Sequence, residues 1–199
     1  MKYLTILCLS FTVLGCSHNL VVPGTYGRNN PASVSADARV QKVTRLVLLN
    51  SFKTYTFEKK AYNWAGGSLF PDTLTFELGR ALSEELSALT QSTYVSASEA
   101  PDLQSAIASE MGNSGLVIVP EIERVSLDLP PFRFADIEAA VALRYSLYDG
   151  NGRFITSSSL EGKAKKVLGF TKQNYVIAFQ EAIKDLMLKT SSLFRGIPQ

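Results

Sequence analysis

The chain has 199 residues, and its 20 lysines and arginines nearly balance its 18 aspartates and glutamates, so the formal net charge is +2. This balance argues against nucleic acid as the main partner, because neutralising phosphates requires a basic face. Two cysteines and one histidine leave no basis for a disulfide framework, a histidine-based catalytic triad or a multi-histidine metal site.

The N-terminus has the layout of an export signal. Lys2 precedes an apolar run over residues 3–14, which is too short for a permanent membrane span of about 20 residues. Residues 13–16 read Val-Leu-Gly-Cys and look like the lipobox that lipoprotein signal peptidase cleaves. We therefore predict a signal peptide over residues 1–15 and acylation of Cys16. The alternative is an ordinary secretory signal or an N-terminal helix.

Residues 16–41 contain glycine, asparagine and serine with little periodicity. This composition predicts a flexible tether that runs from the lipidated cysteine and includes His18. Residues 42–199 are then predicted to form a single periplasmic domain. Because Cys8 leaves with the signal peptide and Cys16 is acylated, this domain has no disulfide, and its stability comes from packing.

The first half of the domain is predicted to alternate strands and helices. A compact apolar run over residues 45–50 predicts a buried strand, and an edge strand is predicted around Tyr62. A helix is predicted to start at Pro71, with one apolar stripe formed by Leu74, Leu78, Leu82, Leu86 and Leu89. A short strand over residues 93–97 and a short helix over residues 101–111 follow.

The second half is predicted to form a three-stranded meander and a final helix. A strand over residues 115–119 is followed by a change of alternation that predicts a bulge between Pro120 and Arg124. The remaining predicted elements are a long strand over 137–148, a tight turn over 149–152, a return strand over 153–165 and a helix over 174–194.

Two amphipathic helices with one apolar stripe each need a sheet face on which to bury those stripes. The predicted fold class is therefore α/β (α+β), a two-layer sandwich in which a mixed sheet of about four to six strands carries two main helices on one face. The opposite face of the sheet, with Arg144, Ser157, Ser159 and Lys163, is predicted to be solvated or to face a partner.

No motif predicts catalysis or metal binding. The sequence has no GxSxG, HExxH, P-loop or CxxC motif, and residues 149–152 lack the later carboxylates that a calcium loop requires. The serines at 157–159 have no histidine in the mature domain to act as a base. We therefore predict that the protein is not an enzyme and has no catalytic residues, no metal and no cofactor apart from the acyl lipid on Cys16.

Two aromatic segments are the candidate partner-binding sites. One contains Tyr55, Phe57, Tyr62 and Trp64, and the other follows the proline pair at residues 130–131. Either segment could simply cover the core, but aromatic and arginine anchors dominate the energies of protein interfaces. The candidate partner-binding residues are Tyr62, Trp64, Phe132, Arg133 and Phe134.

Lysines cluster at the end of the predicted return strand, at Lys163, Lys165 and Lys166. Such a cluster suits contact with anionic lipid head groups. The more ordinary interpretation is a charged strand end that keeps a sheet edge from pairing.

The order of these elements resembles the auxiliary lipoproteins of ABC-type transport systems, the paraquat-inducible protein C-like family. In that family a lipobox and a Tyr/Trp-bearing segment, here Tyr62 and Trp64, precede a leucine-striped helix. A strand like residues 116–119, a long strand ending in Asp-Gly-Asn-Gly at 149–152 and a C-terminal helix over 175–194 complete the likeness. More broadly, the layout is similar to other small periplasmic α/β lipoprotein domains.

The chain departs from this family in two places. The family has a Tyr-x-Leu opening strand just after the cysteine, which has no counterpart by sequence in the predicted tether. Residues 120–136 also look like an insertion. Both departures concern the partner surface more than the fold.

The resemblance implies a non-catalytic docking component of an envelope lipid-transport system of the ABC/MCE type. Its implied partners are the membrane, through the lipid anchor, and a periplasmic or outer-membrane protein. Ser17 in place of aspartate implies the outer membrane, with the domain facing the periplasm. The alternative is a structural subunit of another outer-membrane machine, for secretion or lipopolysaccharide assembly. The oligomeric state does not follow from the sequence.

Overall fold

The computed structural model describes residues 17–24, 44–62, 71–93, 95–109, 115–128, 136–167 and 172–196. Within these ranges the chain forms eight strands and four helices. The strands are β1 (Ser17–Leu20), β2 (Thr44–Leu49), β3 (Phe57–Tyr62), β4 (Pro71–Phe76), β5 (Val95–Ala100), β6 (Leu116–Asp128), β7 (Asp136–Tyr148) and β8 (Phe154–Val167). The helices are α1 (Asn50–Lys53), α2 (Leu78–Thr90), α3 (Leu103–Ala108) and α4 (Lys172–Arg195).

The strands form two sheets, a five-stranded sheet with the order β5-β2-β6-β7-β8 and a three-stranded sheet with the order β1-β4-β3. In the larger sheet β2 is parallel to β5 and β6, whereas β6, β7 and β8 form an antiparallel meander. The apolar stripes of α2 and α4 share one core with the inner face of this sheet. The predicted fold class is confirmed, and the three-stranded sheet is an addition that the sequence did not reveal.

The outer face of the larger sheet is covered at one end by α3. Asp102 caps this helix by accepting a hydrogen bond from the backbone N–H of Ser105 (2.7 Å). A second, smaller core forms beneath α3 from Val47, Ala100, Ala106, Val117 and Val119. Strand β5 and helix α3 were both predicted, with ends that differ by a few residues.

The predicted three-stranded meander is confirmed as the antiparallel strands β6, β7 and β8. The register between β6 and β7 shifts between Ile122 and Arg124, which confirms the predicted bulge. Because Glu123 is the extra residue, Ile122 and Val125 both pack against the main core although they are three positions apart.

The predicted turn between β7 and β8 is also confirmed. The carboxylate of Asp149 accepts hydrogen bonds from the backbone N–H groups of Asn151 (2.9 Å) and Arg153 (2.8 Å). Gly152 adopts a φ of 76°, a conformation that residues with a side chain rarely adopt.

Helix α4 lies directly on β8, and the close contact is at Gly162. A Cβ atom at this position would lie 2.1 Å from the backbone oxygen of Ala182 and 2.6 Å from the backbone nitrogen of Leu186. Nearer its N-terminus, α4 contacts the three-stranded sheet through Phe179, whose ring centroid is 4.8 Å from that of Phe76 and 5.7 Å from that of Phe57. The helix therefore joins the two sheets.

The predicted start of the leucine-striped helix is wrong. Pro71–Phe76 is strand β4, which lies between β1 and β3, and α2 begins only at Leu78. In β4 the side chains of Asp72, Leu74 and Phe76 are all buried, which is the period of two expected for a strand. Leu74 fits a helical spacing with the later leucines, but pairing with both neighbouring strands decides its conformation.

The predicted tether over residues 16–41 is also wrong at its start. Strand β1 pairs in parallel with β4, from Ser17 opposite Thr73 to Leu20 opposite Phe76. Val22 is 2% exposed and belongs to the main core. The physical reason is that this segment supplies apolar side chains, whereas the glycines that suggested a tether begin at Gly24. The predicted signal peptide, Cys16 and the tether beyond Gly24 lie outside the described residues.

We predict that Gly162→Ala destabilises the protein by about 1–3 kcal/mol or more, because the added methyl group meets helix backbone that cannot move aside. Urea unfolding of this variant beside the original chain measures the change. Gly196→Ala is the matched control, since its Cβ would lie 3.6 Å from the nearest atoms. Equal stability of the two variants would show that the contact at Gly162 is looser than described.

Candidate docking surface

The free edge of β8 is capped along part of its length by α4. The carboxylate of Asp185 accepts a hydrogen bond from the backbone N–H of Lys163 (3.0 Å), and the ammonium of Lys189 donates to the backbone oxygen of Glu161 (2.8 Å). Lys189 also donates to Asp185 (2.7 Å). Burial raises the pKa of Asp185, but the hydrogen bonds from Lys189 and Lys163 outweigh burial and hold that pKa below its usual value. A further strand cannot pair with these occupied backbone groups.

No described side chain caps the first half of β8, residues 154–160, and this half carries no charge. Residues 154–160 are apolar residues, serines and one threonine. Phe154 and Ile155 are 58% and 50% exposed. Since backbone groups alternate in direction along a strand, Ser157 and Ser159 direct theirs to the same free edge as the two capped residues. No described side chain hydrogen-bonds the N–H groups of these two serines.

An apolar groove with a volume of about 420 Å³ adjoins this uncapped part of β8. Its floor is the inner face of β6, β7 and β8, and its wall is the end of α4. Apolar side chains such as Leu147, Leu193 and Phe194 line it, together with the hydroxyl groups of Thr156 and Ser158. Every side chain that the structure places in its lining is uncharged, so the groove suits an apolar group.

Hydrogen bonding fixes the wall of the groove. The hydroxyl groups of Tyr145 and Thr190 are 2.7 Å apart, and Thr190 donates onward to the backbone oxygen of Leu186 (2.9 Å). The ring of Phe194 meets that of Tyr145 edge to face, with centroids 5.8 Å apart. Burial raises the pKa of Tyr145, so this side chain is a neutral, hydrogen-bonded part of the wall.

The outer face of β6, β7 and β8 differs from the groove because its charges neutralise one another. Arg124 and Lys163 both pair with Glu161, and Arg144 pairs with Glu123. The hydrogen bond from Lys163 holds the pKa of Glu161 below its usual value, and the hydrogen bond from Arg144 does the same for Glu123. Exposed pairs of this kind contribute little stability. They leave this face with few unmatched charges for a partner.

Of the five predicted partner-binding residues, only Tyr62 lies within the described ranges. Tyr62 is the last residue of β3 and pairs with Pro71 of β4, but its side chain is not among those described. Trp64, Phe132, Arg133 and Phe134 lie outside the described residues. Their role in binding stays a prediction, and so does the acylation of Cys16.

The structure also bears on two other features noted in the sequence. Tyr55 and Phe57, from the first aromatic segment, pack against the main core, so they cover it. Among the clustered lysines, Lys163 pairs with Glu161 (2.7 Å) and Lys165 with Asp136 (2.7 Å). These pairs lie on the outer face of the sheet, and both interpretations of the cluster stay predictions.

Neither the uncapped edge nor the groove was predicted from the sequence. A signal for the edge was present, since seven uncharged residues from Phe154 are followed by the charged segment 161–166. The groove had no such signal, because it depends on where α4 ends relative to the sheet. In the part of the chain that the structure describes, no cluster of His, Cys, Asp or Glu could hold a metal ion. No helix there is long and apolar enough to cross a membrane.

No protein-family model and no curated protein sequence matches the chain. Solved structures do share its fold. A Xanthomonas campestris protein of the DUF330 family is similar at a TM-score of 0.50 and 11% identity, over 88% of this chain and 92% of that one. A putative neuraminyllactose-binding hemagglutinin homolog from Helicobacter pylori is similar at a TM-score of 0.51 and 12% identity, over 86% of this chain and 91% of that one.

A minor lipoprotein from Acinetobacter baumannii is also similar, at a TM-score of 0.47 and 12% identity, over 78% of this chain and 91% of that one. At such identities the likeness to the Xanthomonas and Helicobacter proteins shows the fold alone. The chain therefore has an α/β sandwich fold that occurs in bacterial proteins. The resemblance to the ABC-transport auxiliary family stays a prediction.

We predict that the double variant Asp185→Ala, Lys189→Ala associates with itself more strongly than the original chain does. Loss of both side chains frees the N–H of Lys163 and the carbonyl of Glu161, which opens the capped part of the edge to another strand. Sedimentation equilibrium measures the average mass. Glu181→Ala, Lys184→Ala is the matched control, because it removes the same charges from exposed positions of α4. Equal masses for the two double variants would contradict the capping role.

Proposed function

We propose that the protein is a lipid-anchored, non-catalytic docking component of an envelope lipid-transport system, held at the outer membrane and facing the periplasm. The observation that carries the docking role is the uncapped first half of β8, where Phe154 and Ile155 are exposed and where Thr156 and Ser158 line an apolar groove on the inner face of the sheet. Exposed apolar surface next to free backbone groups marks a site where another chain can bind.

The occupant that fits this site is an extended, uncharged segment of a periplasmic transport protein. Such a segment adds to the sheet through hydrogen bonds with the backbone of Ser157 and Ser159, and an apolar side chain from it enters the groove. The backbone bonds supply affinity, while the groove selects the side chain. The capped part of the edge, at Glu161 and Lys163, limits how far the added strand can extend.

The position of β1 supports the lipoprotein part of the proposal. The family that this chain resembles has an opening strand just after its lipidated cysteine, and here β1 begins at Ser17, the residue after Cys16. Several acyl chains on one cysteine anchor a domain stably, whereas one chain gives only marginal binding. An anchored docking protein needs no reacting group, in keeping with a site built from uncharged side chains.

We predict that a photo-crosslinking residue in place of Phe154 captures an MCE-domain transport protein in living cells. Leu188 is the matched control position, because it is 52% exposed but lies on α4 outside the lining of the groove. Mass spectrometry identifies the crosslinked protein, and the product from position 154 is expected to be lost when Ile155→Asp places a charge at the edge.

The alternative function is that of a structural subunit of another outer-membrane machine. Crosslinking of a secretion or barrel-assembly protein at position 154, with no product at position 188, would support this alternative and contradict a role in lipid transport. The same products from both positions would show that the edge of β8 is not a docking site.

A further inference from the structure

Strand β1 leaves almost no free chain between the acylated residue and the folded domain. Ser17 pairs with Thr73 in the three-stranded sheet, and the backbone oxygen of Leu20 accepts a hydrogen bond from the N–H of Glu77 (3.3 Å). After the strand, Val22 is buried in the main core. The first residue after Cys16 is therefore already part of the fold.

The next contacts hold this segment in place. The side chain of Gln180 on α4 donates a hydrogen bond to the backbone oxygen of Pro23 (3.2 Å). Residues 17–24 are thus held by the sheet at one end and by α4 at the other. One residue of extended chain spans only about 3.3–3.6 Å, so the lipid bilayer that holds the acyl chains must lie against the end of the sheet where Ser17 is.

We infer that this end of the three-stranded sheet, formed by the starts of β1 and β4 and the end of β3, rests directly on the lipid head groups. The inference depends on the proposed function for one point, the acylation of Cys16. The partner of this surface is the membrane itself. With this contact the domain has a fixed orientation on the membrane, whereas the sequence predicted a flexible tether between them.

The side chains at this end suit a layer of head groups. Ser17, Thr73 and Lys60 occupy one row across the three strands, so their side chains lie on the same face of the sheet. Lys60 is exposed and is able to contact lipid phosphates. The nearby side chain of Asp72 is 13% exposed, and its carboxylate lies 3.6 Å from His18, so this acidic group is largely withdrawn from the surface.

The proposed membrane-facing end and the docking edge belong to different sheets, because β1, β4 and β3 form one sheet and β8 is the edge of the other. The three-stranded sheet contacts α4 at Phe179, whereas the groove is formed around Phe194. These residues are separated by about 22 Å along a helix that rises 1.5 Å per residue. A partner segment that adds to β8 therefore pairs with a sheet other than the one held at the membrane.

Fluorophore quenching in vesicles tests this orientation. The full-length, acylated chain is placed in phosphatidylethanolamine and phosphatidylglycerol vesicles that contain a lipid with a quencher on its head group. A fluorophore is attached at Lys60→Cys in one sample and at Asn151→Cys, in the turn between β7 and β8, in the matched control. The signal peptide carries away Cys8 and Cys16 is acylated, so each sample has one reactive thiol. Quenching is expected to be several-fold stronger at position 60.

A flexible spacer provides the second control. Ten glycine and serine residues inserted between Cys16 and Ser17 have a root-mean-square length of about 17 Å, and they are expected to remove most of the difference between the two positions. Equal quenching at both positions without the spacer would overturn the inference and leave the docking proposal intact, since docking depends on β8. A chain that mass spectrometry shows to carry no acyl group would overturn the anchor and this inference together.

Discussion

The close contact between α4 and β8 at Gly162 is the constraint on which the rest of the structure depends. Because Gly162 has no side chain, the helix backbone at Ala182 occupies the space that a Cβ would fill. This approach brings Asp185 and Lys189 within hydrogen-bond distance of the strand edge. It also positions the two ends of the helix. The first half meets the three-stranded sheet through Phe179, and the last turn leaves the floor of the apolar groove open.

The two proposed functional surfaces follow from this arrangement. A sheet edge is normally protected along its length, because free backbone groups invite unwanted pairing. Here the protection stops at Glu161, and the uncharged segment beyond it lies beside a groove that takes an apolar side chain. The surface proposed to face the membrane lies in the other sheet, where β1 starts at Ser17. A domain with this division of surfaces can link a bilayer to a periplasmic partner through binding alone.

The elements predicted correctly from the sequence are those in which the buried residues recur at one regular spacing along the chain. The alternation of β7, the turn after it and the apolar stripe of α4 all required only neighbouring residues. Strand β4 was mistaken for helix because Leu74 continues the leucine spacing of α2, and only its pairing with β1 and β3 makes it a strand. Strand β1 was missed for the same reason, since its partner is far away in the sequence. The uncharged run from Phe154 was visible in the sequence, but its exposure depends on which strand ends the sheet.

Amide hydrogen exchange along β8 in the isolated protein tests the central claim, that α4 caps only half of this edge. The N–H of Lys163 is expected to exchange slowly, because its hydrogen bond to Asp185 must open before exchange occurs. The N–H groups of Ser157 and Ser159 are expected to exchange nearly as fast as in an unfolded chain. Slow exchange of both serines, or exchange at Lys163 as fast as theirs, would contradict the account.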